Sequence, residues 1–227
     1  MQVFPTVPWS QLKPTIQREW RQGEHVLVIG PTGVGKTTLI AELIPARNYV
    51  VVFVTKVHDD TITDSFRGFD RIEEWPPQKW QSHVLLWPKP GKTIRETILK
   101  QRRVFGTAMD AIFQDRGWTP VFDEQHYMCT TLGLLPENTM FQHQGRSSKL
   151  SCVNGTQRPA HVPLVTYSGS THCFIWKNTQ AKDMGRLSDI GGVDHKALTA
   201  TMPTLGKHEF LYVNTRNGFT ARSQVER

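Results

Sequence analysis

The chain has 227 residues, a formal net charge of +7 at pH 7, and 38% hydrophobic residues. That length fits one domain or a domain with small appendages, with apolar content enough for a real core. No run approaches a membrane span and no apolar N-terminal signal segment occurs, so the expected setting is the cytosol or the inside of a particle, with no membrane insertion by this chain. Cys129, Cys152 and Cys173 are odd in number and widely spaced, which argues against a disulfide framework. The basic balance permits a polyanionic partner without requiring one.

Residues 1–24 read as an N-terminal arm carrying Pro5, Pro8, Trp9, Pro14 and Trp20, with a helical stretch near Gln11–Arg21. Residues 25–227 read as one domain. Its first strand is expected at about 25–30 and its first helix at about 36–44, ended by Pro45. Between them lies GPTGVGKT, which fits GxxxxGK[ST] in full at Gly30, Gly35, Lys36 and Thr37. Glycines let backbone N–H groups wrap a phosphate without side-chain clash, and the helix N-terminus adds a positive dipole end. The loop Gly30, Pro31, Thr32, Gly33, Val34, Gly35, Lys36, Thr37 and Thr38 is therefore the expected cradle of a nucleoside triphosphate. Lys36 would reach the β- and γ-phosphates, and the Thr37 hydroxyl would ligate Mg²⁺.

Tyr49–Val54 is a wholly apolar run, as in a buried parallel strand. A loop-rich stretch follows, then a short strand at His83–Trp87. A second GKT at Gly91-Lys92-Thr93 lacks the first glycine of the motif, since position 86 is Leu, and reads as a turn into a helix over 93–115. Ile94, Ile98, Phe105, Met109 and Ile112 trace that helix's apolar stripe. On the same helix Lys92, Arg95, Lys100, Arg102 and Arg103 are either a solvated face or a nucleic-acid contact.

Pro120-Val-Phe122 reads as a strand delivering Asp123 and Glu124 to the carboxyl edge of a sheet, where ligands bind in such folds. This is the pattern of a Walker B element. Asp123 would hold Mg²⁺ through water, and Glu124 would polarise the attacking water. His126 and Cys129 stand three apart with no matching second pair, so a zinc site is not expected. A helix is expected at Glu137–Gln144, a strand at Leu150–Asn154, another at His172–Trp176, two more helices, and a hairpin of His208–Val213 and Phe219–Arg222 turning at Asn217-Gly218. Alternating strands and helices imply an α/β fold with a mostly parallel sheet flanked by helices.

With Asp123-Glu124, then Gly145-Arg146, then LSCVNGTQRPAHV at 150–162, the stretch 25–177 resembles the FtsK–HerA superfamily of DNA-pumping ATPases, whose small viral members package genomes into preformed capsids. The resemblance implies a RecA-like P-loop NTPase of the additional-strand type, with the strand ending at Gln157 between the P-loop and Walker B strands. It implies ATP and Mg²⁺ as cofactors. It makes Gln157 a sensor of the γ-phosphate and the attacking water, and Arg146 the arginine that a neighbouring subunit inserts into the site. Each has a plainer reading, a strand-end hydrogen-bonder and a surface helix residue. Arg158 is the rival finger, with Pro159 beside it favouring a structural role. Partners so implied are double-stranded DNA, a homo-oligomeric ring of five or six subunits, and a capsid vertex or portal protein. The setting is the host cytoplasm during assembly, or the virion at a packaging vertex. Only 29 residues precede Gly30 and no separate domain follows the core, so a minimal motor is expected.

Two other functions fit the P-loop. A nucleotide kinase would need an arginine-rich lid, which is not evident. A single-strand helicase or export ATPase differs by its preferred nucleic acid. A GTPase is disfavoured because Thr55-Lys56-Val57-His58 lacks the aspartate of [NT]KxD.

Overall fold

The computed structural model describes residues 4–226; the first three residues of the arm and Arg227 lie outside the described residues. Among the described residues the strands form one nine-stranded sheet in the order β3-β4-β2-β5-β6-β1-β7-β8-β9. Here β1 is His25–Ile29, β2 Val50–Phe53, β3 Asp70–Ile72, β4 His83–Leu86, β5 Thr119–Phe122, β6 Val153–Thr156, β7 Ser170–Trp176, β8 Glu209–Asn214 and β9 Thr220–Gln224. Pairing is parallel from β3 through β7 and antiparallel from β7 through β9. The C-terminal hairpin thus extends the sheet.

The central strands are buried on both faces, and the period of two divides their side chains between layers. Val26, Val28, Val50, Val52, Val121 and Val153 face one layer. Helix α1 (Trp9–Glu19) and helix α2 (Lys36–Leu43) cover it, α1 contributing Trp9, Leu12 and Ile16 to the same cluster. Val51, Phe53, Val84, Leu86, Phe122 and Cys152 face the other layer, covered by α4 (Ile94–Asp115) and α6 (Leu135–Ser148). Leu27, Ile29, Cys173, Ile175, Leu211 and Val213 pack with residues of α8 (Ala181–Arg186) to α9 (His195–Thr201) in a third cluster.

Several elements depart from expectation. The loop-rich stretch holds α3 (Asp60–Ser65) and the edge strand β3. Asp123-Glu124 leads straight into a short helix, α5 (Gln125–Thr130), and α7 (Leu164–Gly169) precedes β7. The strand expected at 150–154 starts three residues later and ends at Thr156, because Leu150 and Cys152 are a buried lead-in whose pairing begins at Val153. The second GKT, by contrast, leads into a helix as expected. The Thr93 hydroxyl caps the helix by accepting from the Glu96 N–H at 3.1 Å, and the Glu96 carboxylate accepts from the N–H of Lys92, one residue before the cap, at 2.8 Å. Among the described residues no helix is long and apolar enough to cross a membrane.

Candidate active site

The P-loop joins β1 to α2 at the sheet's carboxyl edge. Gly33 and Gly35 have φ of +80° and +108°, and a Cβ on either would meet nothing within 4 Å. Their requirement is conformational, since L side chains rarely adopt that region. Gly30 is constrained by space instead: its Cβ would stand 2.8 Å from the Trp176 Cβ on β7. Lys36 is buried, and its ammonium donates to the Gly30 carbonyl at 2.7 Å and the Pro31 carbonyl at 2.9 Å. Burial lowers the Lys36 pKa, against the opposing pull of Asp123 and Glu124.

Strand β5 ends at Phe122 and places Asp123 beside this loop. The Thr37 hydroxyl donates to Asp123 Oδ1 at 3.3 Å. Burial, and then the negative charge of Glu124, push the Asp123 carboxyl above its usual range. A divalent cation between Thr37 and Asp123 would reverse that balance. One carboxylate, one hydroxyl and substrate phosphates are the oxygen set Mg²⁺ takes, so these residues fit it.

Strand β6 lies between β1 and β5, where the resemblance put it. Gly155 lets β6 approach so closely: a Cβ there would be 2.5 Å from the Asp123 carbonyl oxygen and 3.1 Å from its Cα. Gln157, just past the strand, donates from Nε2 to Glu124 Oε1 at 2.8 Å. These two side chains line an open cleft of about 420 Å³ with Thr55, Lys56, Tyr127 and His161. Lys56 pairs with Asp59 at 2.7 Å on its rim.

Two arginines sit differently. Arg158 is tied down, with Nε on the buried Asp183 carboxylate at 3.1 Å and Nη2 bonded to Gln180. Arg146 is exposed on the last turn of α6, at the opposite end of β1 from the P-loop. A Cβ on Gly23, before β1, would stand 2.8 Å from the Arg146 Cα. The five residues of β1 therefore separate Arg146 from its own P-loop by roughly 17 Å of strand. Its neighbour Gly145 is needed because the His25 ring occupies the place a Cβ would take.

Lys36, Thr37, Asp123, Glu124 and Gln157 are thus brought together, and Arg146 is not. Two of the basic residues on α4 have partners within the chain. Arg102 donates to the Leu132 carbonyl at 2.9 Å and Arg103 pairs with Glu74 at 2.9 Å. Sequence reasoning missed Gly155 and the meeting of His126 with His161, whose rings stack with centroids 4.1 Å apart. No local pattern signals either, because each depends on two distant segments meeting.

No family model and no curated protein matches the sequence. Solved structures do match. The DNA-packaging ATPase B204 of Sulfolobus turreted icosahedral virus superimposes with a TM-score of 0.63 at 13% identity, over 92% of this chain and 100% of that one. The genome-packaging NTPase B204 of Sulfolobus turreted icosahedral virus 2, in complex with sulfate, gives 0.67 at 14% identity, over 92% and 99%. The pCW3 conjugation coupling protein TcpA with ATPγS gives 0.55 at 14% identity, over 89% of this chain and 60% of that one. At these identities the likeness is one of fold: the chain shares with these structures a P-loop NTPase fold, a mostly parallel sheet flanked by helices.

Proposed function

We propose that the protein is an ATPase that translocates double-stranded DNA, as the subunit of a ring-shaped viral genome-packaging motor. The observation that carries the ATPase half is the Gln157–Glu124 hydrogen bond at 2.8 Å, beside Lys36 and the Thr37–Asp123 pair. Lys36 turns from the carbonyls of Gly30 and Pro31 to the β/γ-phosphates. Thr37 and Asp123 would hold Mg²⁺, which would supply neutralising charge at the phosphate oxygens. Glu124 orients water toward the γ-phosphorus as general base. Gln157 shares its amide between that carboxylate and the γ-phosphate, so loss of the phosphate changes what it holds. Arg146 lies too far from its own P-loop to serve it, which supports a role in a neighbour's site. Likeness to packaging ATPases and to a conjugation coupling protein supports duplex DNA as the cargo and the host cytoplasm or a packaging vertex as the setting.

The test is phosphate release from ATP with duplex DNA, with single strands and with nucleosides as acceptors. Duplex stimulation is expected. DNA affinity should fall about 10³-fold or more between roughly 50 and 200 mM salt if six phosphates are contacted. Phosphoryl transfer to a nucleoside would replace this reading with a kinase, and stimulation by single strands alone with a helicase or export ATPase.

A further inference from the structure

The imidazoles of His126 and His161 lie 4.1 Å apart between centroids, with planes 17° from parallel. His126 is the second residue of α5, two after Glu124, and His161 ends the turn Pro159–His161, four after Gln157. The stack therefore joins the same two segments as the Glu124–Gln157 hydrogen bond, on the wall of the same cleft. Each segment is anchored beneath its ring. On one side Gln125 is fully buried and donates to Asn138 at 2.9 Å and Thr166 at 2.8 Å. On the other, the Tyr167 hydroxyl donates to the Pro159 carbonyl at 2.8 Å, and Asp183 accepts from the Ala160 N–H at 3.0 Å. His161 itself is exposed, so this pair of rings adds little to the core.

We propose that the stacked rings of His126 and His161 are a clamp that holds Glu124 and Gln157 in register for the attacking water, and that the clamp opens when both rings are charged. The two histidines are positioning residues. The proposal rests on the ATPase reading above. Stacked neutral or singly protonated imidazoles attract, whereas two imidazoliums at this distance repel in a partly desolvated cleft. The charged groups facing His161 are Arg158 on its own turn and Lys182 and Asp183 on α8. The cleft shared with His126 also presents Lys56 and Glu124. Partial desolvation in the cleft first, then the charges of His126 and Arg158, lowers the His161 pKa. On protonation of both rings the segment from Gln157 to His161 loses its stacking contact with α5.

The test compares ATPase kcat and KM of wild type, His161→Ala and His161→Phe near pH 7.5 and near pH 5.5, with thermal melting to establish that each variant is folded. At the higher pH, His161→Ala should lose roughly tenfold in kcat with KM for ATP unchanged, the cost of a misplaced water rather than of lost binding. His161→Phe keeps a stacking ring without a proton. It should retain kcat within about threefold and lose less activity than wild type on acidification. Folded His161→Ala with wild-type kcat would overturn the clamp, as would His161→Phe being as slow as His161→Ala. Wild-type protein without ATPase activity would instead overturn the ATPase reading, and this proposal with it.

Discussion

Gln157 Nε2 donates to Glu124 Oε1 across 2.8 Å, from the end of β6 to the end of β5. The donor is an amide and the acceptor a carboxylate, so the bond survives when Glu124 becomes glutamine, whose carbonyl oxygen still accepts. What disappears is the carboxylate's ability to take a proton from water. Glu124→Gln should therefore bind ATP as wild type does and turn it over about 10²–10³-fold more slowly. Isothermal titration with ATP beside a phosphate-release assay checks this. Turnover within tenfold of wild type would mean that another residue positions the water.

Lys36→Ala should abolish hydrolysis. The ammonium is buried and held by two loop carbonyls, so its removal deletes the cation aimed along the loop. Activity above about a tenth of wild type would sink the P-loop assignment, since such a phosphate clamp carries several kcal/mol of transition-state stabilisation.

Gly155→Ala tests the close approach of β6 to the Walker B segment. The added Cβ would lie 2.5 Å from one backbone oxygen and 3.1 Å from a Cα, so backbone rather than a flexible side chain must move. The expected cost is about 1–3 kcal/mol of stability. Asp123 would shift with it, so kcat should fall as well. An unchanged melting temperature with unchanged kcat would contradict the packing described for β5 and β6.

What the sequence disclosed was what lies close together along the chain. Gly30, Lys36 and Thr37 fall within eight residues, and Asp123-Glu124 ends an apolar run, so both motifs were readable. Strand β3, Asp-Arg-Ile, carries no apolar run because it pairs on one side at the sheet edge, and it was not readable. The hairpin's strands were evident from their turn, but their pairing with β7 was not, because it is a long-range contact. The same reason hid Gly155: its need for no side chain comes from Asp123, thirty-two residues earlier in the chain. The position of β6 beside β1 came from resemblance to a family, and the register Val26↔Val153 bears it out.

Acid should unfold the protein from the amino end of the sheet. Burial holds His25 neutral, with its pKa down at about 4, and its Nδ1 accepts from the Cys152 N–H at 3.0 Å. A group depressed in the folded state contributes its full stability above its unfolded value near 6.5 and loses it as pH falls toward 4. For His25 that is roughly 3 kcal/mol. Burial of Glu24 works against its ionisation, but His172, the Arg21 N–H and Arg216 hold its pKa at about 2. Its contribution is present above 4.5 and fades toward 2. Denaturant titrations should show stability falling from pH 6.5 downward. The His25 ring proton, followed by NMR, should not titrate above pH 5. Titration near 6.5 would show that the ring is not buried as described.

Arg146 offers the sharpest test of assembly. A residue separated from its own P-loop by the length of β1 cannot complete the site of its own subunit. If it completes a neighbour's, ATPase per subunit should rise with protein concentration, or with anything that templates a ring. Arg146→Ala should bind ATP nearly as wild type, because Lys36 and the loop are untouched. Its turnover should fall by roughly 10³-fold, at the lower end of arginine-finger effects. Mixing Arg146→Ala with Glu124→Gln subunits decides the matter. Each variant alone is inactive, one lacking the donated guanidinium and the other the base. In a mixed ring a Glu124→Gln subunit lends its intact Arg146 to a neighbour that keeps Glu124, and part of the activity should return. If mixed rings form and nothing returns, Arg146 is not the trans finger. Arg158 would then be the next residue to substitute, although its bond to Asp183 would first have to break.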